Sequence, residues 1–306
     1  MSLFEARDEY RRGRLEKQEY IDRMQEYHAL LLEYASFIED CDIRSIEIAD
    51  GCLIITSRTA GIDMICPLID RRAAPFEILN FGSYERPEME MALRLIDPGS
   101  TVADVGANIG WFSLNVAKQN PTARILAFEP VPPTFEWLRR NIERNEIENV
   151  KAFAIALSNG DGKAILYMRA GDSANASAAN LNAGEGVMET ACITRKLDDI
   201  LGEAPLDFIK CDVEGGELFV IQGAQKAIER SRPVIWAEML RKWSAHFGYH
   251  PNRIIELLEG LGYRCFTVQR DRLKEFCCMD EDTTETNFFF LHREAHAAKI
   301  EMLEGR

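Results

Sequence analysis

Apolar and polar positions along this chain fall into two regimes. From Thr101 onward, short apolar runs alternate with longer amphipathic stretches. The runs predict strands near residues 100–105, 123–129, 149–156, 205–211, 232–238, 263–269 and 286–292. The stretches between them predict helices near 109–119, 132–145, 215–230 and 251–261. Such alternation implies a mostly parallel sheet with helices on both faces. No helix separates the last two runs, so the final strand is expected to be antiparallel. Upstream the pattern differs. Residues 3–40 read as helical, bent at Gly13, with Leu30, Leu31, Tyr34, Phe37 and Ile38 forming an apolar stripe. That helix would be a docking arm or a homodimer contact, or equally a helix packed on its own domain. After it, "SIEIADGCLIITS" reads as a hairpin turning at Asp50-Gly51. The expected division is an extension over 1–79 and a main domain over 80–306.

The alternation is interrupted between 157 and 196. Here "KAILYMR" and "VMETACITR" read as extra strands around "AGDSANASAANLNAGEG", a run of small and polar residues without periodicity. Irregular stretches of this length are usually functional or disordered. Residues 171–186 are expected to form a mobile lid over an acceptor site.

Composition narrows the partners. A hydrophobic share of 46% supports a real core, while a net charge of −14 repels phosphate backbones. The basic cluster "RRNIER" is the polar face of a helix, so nucleic acid is not an expected partner. The first 20 residues carry no apolar run of the signal type, and no window reaches the roughly 20 apolar residues of a membrane helix. The eight cysteines include no CxxC pair, which points to reduced thiols and a cytoplasmic protein.

The chemistry starts at "VADVGANIG". A dinucleotide turn of the G-x-G-x-x-G kind would suit a nicotinamide cofactor, but Asn108 stands where its second glycine belongs. The arrangement Asp104, Gly106, Asn108, Gly110 is the D-x-G-x-N-x-G form used for S-adenosylmethionine. Its backbone N–H groups would approach the methionyl carboxylate at a helix N-terminus. Asp104 would organise the turn or meet the cofactor's ammonium group. "ILAFEP" supplies a second, independent sign. It places Glu129 at the next strand end, about 20 residues on, where an acid accepts hydrogen bonds from ribose hydroxyls.

A further set of acids lies in "LDFIKCDVEGGELFVIQGA". Asp212, Glu214 and Glu217 follow a strand end, as Glu238 does in "PVIWAEM", so all would share one rim with Asp104 and Glu129. For Glu217 a helix N-terminal charge is an equal alternative. An acceptor hydroxyl must lose its proton as the methyl group arrives. Asp212, with Glu214 beside it, is the expected catalytic acid cluster, and His246 is an alternative base. Asp212, Glu214 and Glu238 could also bind magnesium through oxygen, although no metal is the expected arrangement.

The segments "FGSYERPE", "VADVGANIGWFSLNVAK", "AFEPVPPTFEWLRRNIERN", "IALSNGDG", "RKLDDIL", "FIKCDVEGGELFVIQGA" and "RPVIWAEM" occur in one order. In this the chain resembles the FkbM family of S-adenosylmethionine-dependent methyltransferases over roughly residues 80–292. The resemblance implies a class I methyltransferase (Rossmann-like) α/β fold, with an antiparallel last strand and an N-terminal helical and β-hairpin extension. It implies O-methylation of a small-molecule or glycan acceptor such as a sugar or polyketide. Carboxylate or nitrogen acceptors, or a non-catalytic nucleotide-binding module, remain the alternatives. On the matching positions it implies cofactor contacts at Glu85, Asp104, Gly106, Ala107, Asn108, Gly110, Phe112, Glu129, Pro130, Ala156 and Asp212.

Overall fold

The computed structural model describes residues 2–67, 70–169, 172–178 and 187–304. The chain opens with two helices, α1 (Leu3–Arg11) and α2 (Lys17–Phe37), joined by a turn around Gly13. Ser2 caps α1 through a capping box with Glu5. Strands β1 (Ile43–Ala49), β2 (Cys52–Ser57) and β3 (Asp63–Cys66) then form an antiparallel sheet. Asp50 and Gly51 both take positive φ, 51° and 72°, the geometry of a tight hairpin turn. Helices α3 (Ala74–Phe81) and α4 (Arg86–Leu95) lead into the main sheet. A domain boundary at 79/80 would therefore pass through α3.

The main domain begins with β4 (Thr101–Val105), α5 (Trp111–Gln119), β5 (Arg124–Phe128), α6 (Pro132–Arg144) and β6 (Val150–Phe153). Every residue of β4 is buried, as a strand covered on both faces requires. An insertion follows: β7 (Ala156–Leu157), β8 (Gly162–Arg169), β9 (Asp172–Ser177) and β10 (Val187–Arg195) make a separate sheet in the order β7-β10-β8-β9. The expected lid thus contains a strand over 172–177, antiparallel to β8, and is not wholly irregular. Its residues 171 and 179–186 lie outside the described residues.

The alternation resumes with α7 (Leu197–Leu201), β11 (Phe208–Cys211), α8 (Glu217–Gly223), α9 (Gln225–Ser231) and β12 (Val234–Glu238). It ends with α10 (Arg241–Ser244), α11 (Asn252–Gly260), β13 (Tyr263–Gln269), β14 (Arg272–Phe276), β15 (Asn287–His292) and α12 (Ala297–Leu303). The eight-stranded sheet has the order β14-β13-β15-β12-β11-β4-β5-β6. Strands β6, β5, β4, β11 and β12 run parallel, and β15 is antiparallel to both β12 and β13. This is the mixed α/β architecture expected, with the last strand reversed. The unforeseen β14 adds an edge hairpin where a loop was expected, and the 215–230 helix is two helices that meet at Ala224.

Two apolar clusters fill the faces of the sheet. One is built around Ile209, Ile235 and Phe288, the other around Phe208, Trp236 and Phe289. The small sheet is bound to the main domain by polar contacts. Asn141 of α6 accepts the N–H of Ile65 at 2.7 Å, and Asn145 accepts that of Asp63 at 2.8 Å. Ile62 and Met64 also share a core with Ile109 and Leu114. No helix among the described residues is long and apolar enough to cross a membrane.

Candidate active site

A cleft of about 240 Å³ opens at the carboxyl ends of β4, β5, β11 and β12, the place where open α/β sheets bind ligands. Its first wall is the turn after β4. Gly106 adopts φ +83°, and a Cβ there would lie 1.8 Å from the carbonyl oxygen of Asp212. The glycine therefore lets the β4 and β11 loops approach each other. Asn108 takes φ 49° and turns its own Oδ1 onto the N–H of Ile109, 2.6 Å away. Self-capping of this kind is how asparagine tolerates the left-handed region. Glu85 (φ 43°) and Glu214 (φ 53°) share that strain and also line the cleft, and strained residues cluster at functional sites.

The N–H groups of this turn are spoken for within the protein. Those of Gly106 and Ala107 donate to the carbonyl of Phe128, and that of Gly110 to Ala107. The N–H of Asn108 donates to Glu129 at 2.9 Å. The turn thus differs from the expectation that these donors would face a carboxylate. Backbone packing against β5 claims them first.

Asp104 is fully buried and does not line the cleft. One oxygen accepts the Ser113 hydroxyl at 2.6 Å, and the other has no hydrogen-bond partner. Burial raises its pKa, and the nearby Lys210 charge offsets part of that rise. Of the two roles expected for Asp104, organising the turn is the one this geometry favours. Glu129 does line the cleft. It accepts the N–H groups of Val131 at 2.8 Å and Asn108 at 2.9 Å. Two carboxylate oxygens offer about four lone-pair sites, so acceptor capacity remains for two hydroxyls. Burial pushes the Glu129 pKa up to about 7, against those two backbone donors.

The opposite wall is a charged network. Lys210, buried in an otherwise apolar strand, places Nζ 3.0 Å from Asp212 and 5.6 Å from the centre of the Trp236 ring. Burial alone would lower its pKa, but the carboxylates of Asp212, Asp104 and Glu85 outweigh burial and raise it. Glu238 shares a hydrogen bond with Asp212. Burial first, and the charges of Asp212, Glu214 and Glu85 next, push its pKa well up. Glu85 accepts from the Asn287 amide at 3.3 Å, and burial raises it to about 7. Oxygens of Asp212, Glu214 and Glu238 lie within 4.8 Å of one another, close enough to hold a hard cation. Lys210 supplies one positive charge to this group.

Residues 104–265 match the model of the "Methyltransferase FkbM domain", which is more than half of the chain. The chain belongs to the FkbM methyltransferase family. Among its relatives is methyltransferase sdnD of Sordaria araneosa, 30% identical over 203 residues, covering 56% of this chain and 75% of that protein. Methyltransferase 1 of Beauveria bassiana is 33% identical over 146 residues, covering 40% of this chain and 58% of that one. The 31-O-demethyl-FK506 methyltransferase FkbM of Streptomyces tacrolimicus is 30% identical over 161 residues, or 42% and 61%. The chain thus spans less than two thirds of two of these three relatives.

Within the family's matched segment, the cleft gathers Gly106, Ala107, Asn108, Phe112, Glu129, Pro130, Ala156, Asp212 and Glu214, with Glu85 from upstream. Gly110 stands behind it, packed on Leu114 and Leu138. His246 is exposed on a short 3₁₀ turn outside the cleft, while its neighbour Phe247 lines it. Glu217 is buried and clamps its own turn, accepting the N–H groups of Gly215 at 3.0 Å and Val213 at 3.1 Å. This geometry fits the helix N-terminal role. Sequence reasoning passed over Lys210 and Tyr84, both of which line the cleft. For Lys210 the signal was present: a lysine inside the apolar run "FIKC" needs a buried anion as partner.

Proposed function

We propose that this protein transfers a methyl group from S-adenosylmethionine to a hydroxyl of a sugar or another natural-product acceptor. The observation that carries the reading is the cleft itself, with Glu129 on one wall and the Lys210–Asp212–Glu238 network on the other. The spare acceptor capacity of Glu129, which faces the cleft, suits the ribose hydroxyls of a nucleoside cofactor. When bound, S-adenosylmethionine supplies a methyl group already activated for transfer. Glu129 would hold the ribose hydroxyls and so fix the cofactor's register along β5. Phe112, Ala156 and Pro130 close the apolar part of that wall and exclude water.

On the other wall Asp212 would accept the acceptor's proton as the carbon–oxygen bond forms. Lys210 fixes the direction of that carboxylate, and Glu238 holds its second side. Orientation by such contacts supplies several kcal/mol of barrier lowering in favourable cases. The O-demethyl acceptor in one relative's name agrees with a hydroxyl target. A negatively charged carboxylate acceptor would meet Asp212, Glu214 and Glu85 together, which disfavours it.

The test is transfer of labelled methyl from S-adenosylmethionine to a panel of hydroxylated acceptors. A methyl ether survives alkali and stays uncharged, whereas a methyl ester releases its label as methanol, and an N-methylated amine keeps its label through alkali but is retained on a cation exchanger. Asp212→Asn keeps the size and removes the charge. It should lower kcat about 10²-fold or more, as losing a general base does, while cofactor affinity changes much less. Loss of cofactor binding with turnover preserved at saturation would move Asp212 to the cofactor site.

A further inference from the structure

The N-terminal helices carry an apolar surface that the other described residues leave open. No residue of α2 is buried along its 21 residues, so it is not a helix packed on its own domain. Helix α1 covers the first half of α2: Tyr10 stacks on Tyr20 at 4.5 Å between ring centres, and Ala6 is buried. The second half is bare. Leu30, Leu31 and Leu32 are 55%, 58% and 68% exposed, Tyr34 46% and Phe37 54%. Successive helix positions turn by about 100°, so the three leucines face three directions. A helix apolar on several sides is normally enclosed by others. Near the root Phe81 is also exposed, at 74%, beside Gly82, whose carbonyl accepts the Asp42 N–H at 2.8 Å.

Charge is divided along the same arm. The tip between α1 and α2 carries exposed Arg11, Arg12, Arg14 and Lys17; Glu16 is the one acid among residues 11–17, and Arg14 is paired with Glu9 at 3.4 Å, which leaves the tip net basic. The root carries exposed Glu33, Glu39 and Asp40, and one arginine, Arg58, donates to the Ile38 carbonyl beside them at 3.2 Å, so the root is net acidic. We infer that two copies of this chain pair through these arms in antiparallel fashion about a two-fold axis. In that arrangement each basic tip lies on the partner's acidic root, and both contacts are made twice by symmetry. The bare second half of each α2 then lies beside the α1–α2 hairpin of the other copy, as in a four-helix bundle. Aromatic side chains such as Tyr34, Phe37 and Phe81 carry ~150–250 Å² each, and Leu30, Leu31 and Leu32 add to them. Closing the half-exposed ones in both arms removes on the order of 1,500 Å², the size of an ordinary specific interface.

The full chain should sediment at micromolar concentration with twice its 34.8 kDa mass. Leu31→Glu combined with Tyr34→Glu should weaken association at least 100-fold while leaving the melting of the main body unchanged. Arg12→Glu with Arg14→Glu should also give monomers at low salt, as should Glu39→Lys with Asp40→Lys. Mixed in equal amounts, the two charge-reversed proteins should recover the dimer, because every tip again meets a root of opposite sign. A wild-type monomer at tens of micromolar would overturn the proposal. So would a dimer indifferent to the Leu31/Tyr34 change, or a mixture that stays monomeric.

Discussion

At the scale of single residues, two positions show opposite uses of one turn. Gly106 has no freedom to vary, because a methyl group there would meet the Asp212 carbonyl and φ is already +83°. Gly106→Ala should cost about 2–6 kcal/mol, the sum of overpacking and backbone strain, read as a lower urea midpoint. A variant as stable as the parent would show that the two loops separate readily. Glu129 spends part of its capacity on Asn108 and Val131 and offers the rest to the cleft. Glu129→Ala should weaken S-adenosylmethionine binding tenfold or more by calorimetry, about 1.4 kcal/mol. Part of that loss will come through a looser turn, so stability should fall as well. The acid at position 129 was legible from its spacing to the glycine turn. What hid was its second duty, because backbone partners are invisible in a sequence. Lys210 was readable but unread. His246 shows the reverse, a reactive residue type whose exposed position no local pattern reveals.

At the scale of elements, periodicity located the main-sheet strands closely, since a strand buried on both faces must be apolar throughout. It failed where burial is one-sided or absent. Strand β14 reads "RLKEF", polar on the edge of the sheet, and β9 reads "DSANAS", with almost no apolar content to signal a strand. Main-chain pairing with β8 makes β9 a strand all the same. The same pairing places Ser177 fully buried, its hydroxyl donating to the Glu214 carbonyl at 2.8 Å, with Ala178 beside it lining the cleft. This contact joins the inserted sheet to the acceptor wall. Removing it with Ser177→Ala should release about 1 kcal/mol of docking. The acceptor KM should then rise ~5-fold, with cofactor affinity unchanged, and amides of β9 should exchange faster. An unchanged KM with faster exchange would separate the inserted sheet from acceptor binding.

For the whole molecule the decisive feature is how much negative charge one cleft confines. The chain carries −14 overall. Glu85, partly buried, and Glu129, buried, line the cleft, and the buried Glu217 sits in the turn next to it; all three pKa values are raised from 4.5 to about 7. Burial is the first cause for all three. The folded protein therefore binds these protons more tightly than the unfolded chain does. The stability they contribute is complete below the unfolded value and is lost as pH rises through about 7. Glu136, Glu275 and Asp280 act in the opposite sense, since hydrogen bonds to Arg139, Arg264 and Thr283 lower them, but they titrate below the usual carboxylate range. His292 and His296 oppose it inside the window, since burial lowers both, His296 to about 4, but the raised carboxylates outnumber them and govern between pH 5 and 7.5. The melting temperature of the ligand-free protein should thus fall over that interval, contrary to the common acid-side loss of stability. Glu85→Gln keeps an acceptor for the Asn287 amide but has no proton to lose, so its melting curve should vary less with pH. A melting temperature that rises from pH 5 to 7.5 in both proteins would mean that the cleft carboxylates are solvated in solution. The acceptor wall would then lack the dry, charged character on which the proposed chemistry depends.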